Sequence, residues 1–155
     1  ESLRLMRNVS TGGNNLTRAI SLAMDLDFGA AEELKVKKGT LLPEEVEDDR
    51  TARELYDIVL PHLVDIAAEI RRSVDYFQTR FQKTRMGKVF LSGGTARLKG
   101  IDRFLATELG LEVVVGDPFQ GYTYDERAFP EEERRRSGPA MAAAIGLARR
   151  GAEEL

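Results

Sequence analysis

The chain has 155 residues, 23 Lys plus Arg against 26 Asp plus Glu, one His, no Cys and no Trp, for a formal net charge of −3. A hydrophobic fraction of 42% is too high for a disordered chain, and the length suits one domain or two small lobes sharing a core. Without cysteine there are no disulfides, thiolate metal sites or cysteine nucleophile; no apolar run reaches the roughly 20 residues of a membrane span, and the mildly acidic balance argues against a general nucleic-acid binder, so a soluble intracellular protein is expected.

Leu3, Leu5 and Val9 fall at odd positions around Arg4, which predicts a strand with one buried face over residues 3–9. Ser10-Thr11-Gly12-Gly13-Asn14-Asn15 is turn chemistry that leads into a helix with Leu16, Ala19, Ile20, Ala23 and Met24 on one stripe. A second helix is expected from Phe28 to Lys38, capped by Asp27 and ended by Gly39. Thr40 to Asp49 is an acidic connector, either a loop tip or the first turn of the next helix, where carboxylates favour the helix dipole. The stripe Leu63, Ile66, Ala67, Ile70, Val74, Phe77, Phe81 predicts a long helix. Leu55, Tyr56 and Val59 continue its spacing upstream, so Pro61 implies a kink or two abutting helices.

Lys88 to Ser92 reads as a buried strand closed by Gly93-Gly94. A helix follows, with Ile101, Phe104, Leu105 and Leu109 inward and Gly110 at its end, then a strand at Glu112 to Val115. Strand, glycine loop, helix, strand is a βαβ unit with parallel strands. Asp117 to Ser137 reads as a surface excursion in which the acidic and basic blocks at 131–136 serve as a solvated helix start. The last helix is expected from Gly138-Pro139 to about Gly151, with small residues that admit a close neighbour.

Two places carry candidate chemistry. Gly93-Gly94, at the carboxyl end of a strand and before a helix, lets a ligand approach bare backbone. Glu32 and Lys35 lie three residues apart on one helical face, an acceptor and a donor for a hydroxylated ligand. Each has a plainer meaning, a tight turn that needs φ > 0 and an exposed ion pair, and local pattern leaves both open. The lone His62 offers no zinc set and no nucleophile-elbow triad, while Tyr56, Tyr76, Phe77 and Phe81 have the spacing of core residues. No Walker-type loop and no Asp-x-Asp metal motif is present.

Taken in order, five segments resemble the PilM/FtsA branch of the actin-like ATPase superfamily. They are Arg7 to Thr17, Phe28 to Lys35 with Gly39, Glu69 to Phe77, Val89 to Ile101, and Gly116 to Phe119 with the helix Gly138 to Leu147. The resemblance implies an α/β, ribonuclease-H-like actin-type ATPase domain: the second large domain with an inserted helical lobe, incomplete at its N-terminus. It implies a strand and turn over residues 1–13, a helical lobe over 14–60, a long helix plus βαβ unit with the adenosine motif over 61–137, and a closing helix over 138–151.

The same resemblance places Gly93, Gly94 and Thr95 against the adenine and α-phosphate side of a nucleotide, Glu32 and Lys35 near ribose and adenine from the opposite lobe, and Gly12 and Gly13 along the approach. It implies ATP as ligand, bound weakly or not at all by this stretch alone, because the two Asp-bearing glycine turns that hold phosphate and Mg in the family have no counterpart in it; hydrolysis is not expected. It also implies a cytoplasmic adaptor at the inner-membrane platform of a type IV pilus, with a PilN-type cytoplasmic tail as partner, held upstream of this stretch, and other platform proteins. An unpaired edge at the opening strand would favour self-association. The alternatives are an FtsA-like division protein, half of an actin-fold sugar or acetate kinase, and an interaction module that binds no nucleotide.

Overall fold

The computed structural model describes residues 3–81, 86–127 and 129–153. Helix α1 (Gly13–Met24) starts where Gly12 N–H donates to Asn15 Oδ1 at 2.9 Å, and it ends at Asp25 in the left-handed region with φ 53°. Its inward stripe buries Leu16 and Ile20. Helix α2 (Phe28–Lys38) has the bounds its caps predict: Asp27 Oδ1 accepts from Ala30 N–H at 3.0 Å, and Gly39 N–H donates to Lys35 O at 2.9 Å. Gly39 has an ordinary φ of −66°, so glycine is needed there for space. A Cβ would collide with the Lys35 carbonyl oxygen and lie 2.9 Å from Leu98 Cδ1.

The acidic connector contains a short helix, α3 (Pro43–Asp48), with Glu44 and Glu45 in its first turn. Asp49 then caps α4 (Arg50–Arg80), its Oδ1 accepting from Thr51 and Ala52 N–H, while Lys38 Nζ reaches Asp49 Oδ2 at 2.6 Å. Those contacts hold the Asp49 carboxyl below its ordinary range, the Lys38 hydrogen bond contributing most.

Parallel strands β1 (Lys88–Leu91) and β2 (Glu112–Val115) pair in register from Lys88 with Glu112 to Leu91 with Val115. Between them lie a single 3-10 turn at Gly94–Arg97 and helix α5 (Ile101–Leu109), which ends on Gly110 at φ 65°. One core joins the first two helices, α4, α5 and the sheet: Leu16 and Ile20 of α1, Ala31 of α2, Leu55, Val59 and Leu63 of α4, Ile101 and Leu105 of α5, and Val113 of β2. The link after α2 is stitched to the link before α5 by a parallel bridge between Thr40 and Lys99 and by Leu41 N–H to Lys99 O at 2.8 Å. Gly100, at φ 78°, leaves room there for Leu42. The last helix, α6 (Glu131–Glu153), meets the 3-10 turn at Gly138 and Pro139, where Gly93 N–H donates to Pro139 O at 2.6 Å. Near its start Arg134 is buried with its guanidinium 3.6 Å from the Tyr124 ring centroid, which pins the preceding loop to the helix.

Several expectations need correction. Residues 3–9 form no strand, and residues 1 and 2 of the expected strand-and-turn region 1–13 lie outside the described residues. Alternation supplies a face but not a partner, and no described strand lies beside it; Leu3 and Met6 are exposed, and Arg7 instead binds Ser73 Oγ at 3.0 Å and Glu69 Oε2 at 3.1 Å on α4. The edge-strand route to self-association loses its footing with it. Pro61 neither splits nor ends α4, which runs through it as one 31-residue helix and crosses the expected lobe boundary at residue 60. Its cost is one missing N–H to the Asp57 carbonyl, offset by burying Val59 and Leu63 on either side. Helix α6 begins at Glu131, so Pro139 sits inside it rather than at its first turn; the three glutamates at its start match the positive end of the helix dipole. Strand β1 is half-buried rather than buried, with Phe90 turned outward at 70% exposure because only one face of the two-stranded sheet is covered by described helices. Tyr76, one residue before Phe77 of the α4 stripe and so turned about 100° from it, is also exposed.

Candidate functional site

A cleft of about 1010 Å³ opens beyond the carboxyl ends of β1 and β2, between the start of α1, one face of α2, the 3-10 turn and the first turns of α6. Such a position, at strand carboxyl ends and between packed units, is where ligands of α/β folds are accommodated.

Six of the seven residues singled out in the sequence line it: Gly12, Gly13, Glu32, Lys35, Gly94 and Thr95. Gly93 shapes the turn behind them. It stands at φ 91°, ψ 173°, a region that only glycine occupies without strain, and its N–H is committed to Pro139. Gly94 is different, since a Cβ added there meets nothing within 4 Å and would project into open space. Gly13 is where the two sides come closest: a Cβ would fall 2.5 Å from Thr95 Oγ1. The glycine at 13 therefore lets α1 approach the turn, and the one at 94 leaves the cleft unobstructed.

Glu32 and Lys35 form more than an exposed ion pair. Lys35 Nζ donates to Glu32 Oε2 at 2.6 Å, to Thr17 Oγ1 at 2.7 Å and to Gly13 O at 3.2 Å, with only 11% of its side chain exposed. All three ammonium N–H groups are thereby spent inside the protein, so Lys35 offers a ligand its charge rather than a donor. Thr17 donates to Glu32 Oε2 as well. Burial works against ionising Glu32, but the hydrogen bonds from Lys35 and Thr17 and the charges of Lys35 and Arg97 outweigh it, holding its pKa below the ordinary 4.5.

The sign of that shift gives a testable pH dependence. A carboxyl whose folded pKa is depressed contributes stability above its unfolded value, and the contribution is lost as pH falls through the folded value. Glu32→Gln is expected to melt lower than the parent at neutral pH and to show a flatter acid limb between about pH 5 and 3. Melting temperature against pH by circular dichroism checks this; parallel curves for the two proteins would refute it.

Thr17, Arg97, Arg135 and Arg136 are not legible in the sequence as site residues. The last three line the cleft with Lys35 and Lys99, against only Glu32 and Glu132. Lys99 is engaged with Glu45 at 2.9 Å and Arg135 with Glu131 at 2.6 Å, whereas Arg97 makes no hydrogen bond or ion pair among the described residues. Only the Gly-Gly-x-x-Arg spacing would have pointed to Arg97. Together with the first-turn amides of α1, which has no acidic side chain there, the lining favours an anionic ligand. No group of three His, Asp or Glu among the described residues is placed to hold a metal ion.

The sequence model of the type IV pilus assembly protein PilM family matches residues 1–152. The chain belongs to that family. A solved structure, named "PilM-PilN type IV pilus biogenesis complex", is similar to it at 31% identity and a TM-score of 0.71, over 88% of this chain and 36% of the solved one. The chain thus spans about a third of that relative's length. Every residue of the cleft lies within the stretch matched to PilM. No helix among the described residues is long and apolar enough to cross a membrane.

Proposed function

We propose that this PilM-family chain forms the adenosine wall of an ATP site in an actin-type domain, and that the assembled protein acts as a nucleotide-responsive cytoplasmic adaptor of a type IV pilus inner-membrane platform, binding a PilN-type tail. The observation that carries the reading is the meeting of Gly94, the α1 N-terminus and the Glu32–Lys35 pair around one cleft. Each supplies what a nucleoside needs: bare backbone for the flat base, a carboxylate oxygen for sugar hydroxyls, and helix amides with cations for phosphate. The volume suits a nucleotide. The described residues provide no carboxylate cluster for Mg, so the metal and the remaining phosphate contacts are assigned to the rest of the full-length protein, and no hydrolytic step is derived. The PilN-type partner is inferred from membership of the family and from the similar solved complex alone.

Isothermal titration of ATP, and of GTP as control, into the full-length protein that carries this chain tests the reading. Saturable binding of ATP in preference to GTP is expected, together with much weaker binding by residues 1–155 alone. Absence of ATP binding to the full-length protein, or equal affinity for GTP, would refute it.

A further inference from the structure

Thr17 is fully buried and polar, in the second turn of α1, and belongs to none of the glycine turns or ion pairs legible in the sequence. Its Oγ1 accepts from Lys35 Nζ at 2.7 Å, and its hydroxyl donates to Glu32 Oε2, with Gly13 O at 3.0 Å as a second acceptor. Glu32 Oε2 therefore receives two donors, Thr17 and Lys35, while Oε1 receives none from the described residues. Rotating the carboxylate out of its present plane would break two charge-assisted hydrogen bonds, which holds its orientation. That oxygen belongs to a side chain that lines the cleft and is 42% exposed.

We propose that Thr17 is the positioning residue of this cleft: by bridging Lys35 and Glu32 it keeps Glu32 Oε1 presented to the vicinal hydroxyls of a ribose, so that discrimination for ribonucleotides is set from α1. A fixed acceptor rejects a sugar without hydroxyls because its own lone pairs are then left unpaired on binding. Without Thr17 the carboxylate keeps only Lys35, and a single donor on one oxygen does not by itself fix the plane of the carboxylate. The inference rests on the nucleotide reading above, and its test separates the two.

Affinities for ATP and for 2′,3′-dideoxy-ATP are measured in the full-length protein, its Thr17→Val form, isosteric but without the hydroxyl, and its Thr17→Ser form, which restores it. The native protein is expected to prefer ATP by about tenfold or more, the value of a hydrogen bond to a charged group. Thr17→Val is expected to lose most of that preference and Thr17→Ser to keep it. Equal weakening of both ligands by Thr17→Val, or an unchanged preference, overturns the proposal. Thr17→Ala serves if Thr17→Val does not fold by circular dichroism. If the native protein binds neither ligand, the nucleotide reading falls by itself and positioning is judged on the Glu32 carboxyl, titrated by carbon-13 NMR. A midpoint raised by Thr17→Val and restored by Thr17→Ser supports it; an unmoved midpoint overturns it.

Discussion

Gly94→Val is expected to weaken ATP binding by about 10- to 100-fold while leaving the melting temperature of the protein nearly unchanged. The affinity loss follows from the position: the added side chain enters cleft space that the base would fill, and overfilling a tight contact costs about 1–3 kcal/mol. Stability is spared because no protein atom stands within 4 Å of the new Cβ and the φ of Gly94 lies outside the glycine-only region. The neighbouring residue should behave in the opposite way. At φ 91°, ψ 173°, Gly93→Ala places an L side chain in disfavoured backbone space and is expected to cost about 1–3 kcal/mol of stability. Titration calorimetry paired with thermal denaturation distinguishes the two substitutions. A Gly94→Val protein that binds ATP like the parent would remove the base from this part of the cleft.

Leu63→Ala is expected to lower unfolding stability by about 2–5 kcal/mol, a large share of the roughly 5–15 kcal/mol typical of a domain. Leu63 is 1% exposed in the middle of α4, in the cluster that also takes in Leu16 of α1 and Leu105 of α5. Truncation leaves a cavity bordered by three helices that cannot all shift to fill it. Leu22, on the outer side of α1 and 79% exposed, is the control, since Leu22→Ala should stay within about 0.5 kcal/mol. Urea denaturation followed by circular dichroism measures both, and a Leu63→Ala change as small as that of Leu22→Ala would mean that α4 is not the centre of the core.

The parts of the fold that are legible in the sequence are those whose causes are local. Asp27 and Gly39 bracket α2, Gly110 ends α5, and the stripe from Leu63 to Phe81 gives α4 its buried face. What misleads is non-local. A strand over residues 3–9 needs a neighbour that alternation cannot supply, and Phe90 looks buried because the sequence of β1 does not say how many faces of the sheet are covered. Pro61 and Pro139 have the look of boundaries, yet both lie within helices: Pro61 between buried Val59 and Leu63, whose packing outweighs one lost hydrogen bond, and Pro139 itself buried where α6 meets the 3-10 turn. The site follows the same division. Gly93-Gly94 and the Glu32–Lys35 pair stand out as candidates by type and spacing, and Gly13 enters through the family resemblance. Thr17 does neither, because its role exists only once α1 and α2 are packed together and its hydroxyl meets two side chains from the other helix.

The stitch between Thr40 and Lys99, with Leu42 seated against Gly100, joins the helix pair to the strand pair a few residues from the cleft rim, and the shared core joins them again beneath it. The two banks of the cleft are thus riveted at one end and founded on common ground. Parting them like jaws would break that stitch and expose the common core, so a molecule that lodges there is expected to arrive and leave through the mouth already open.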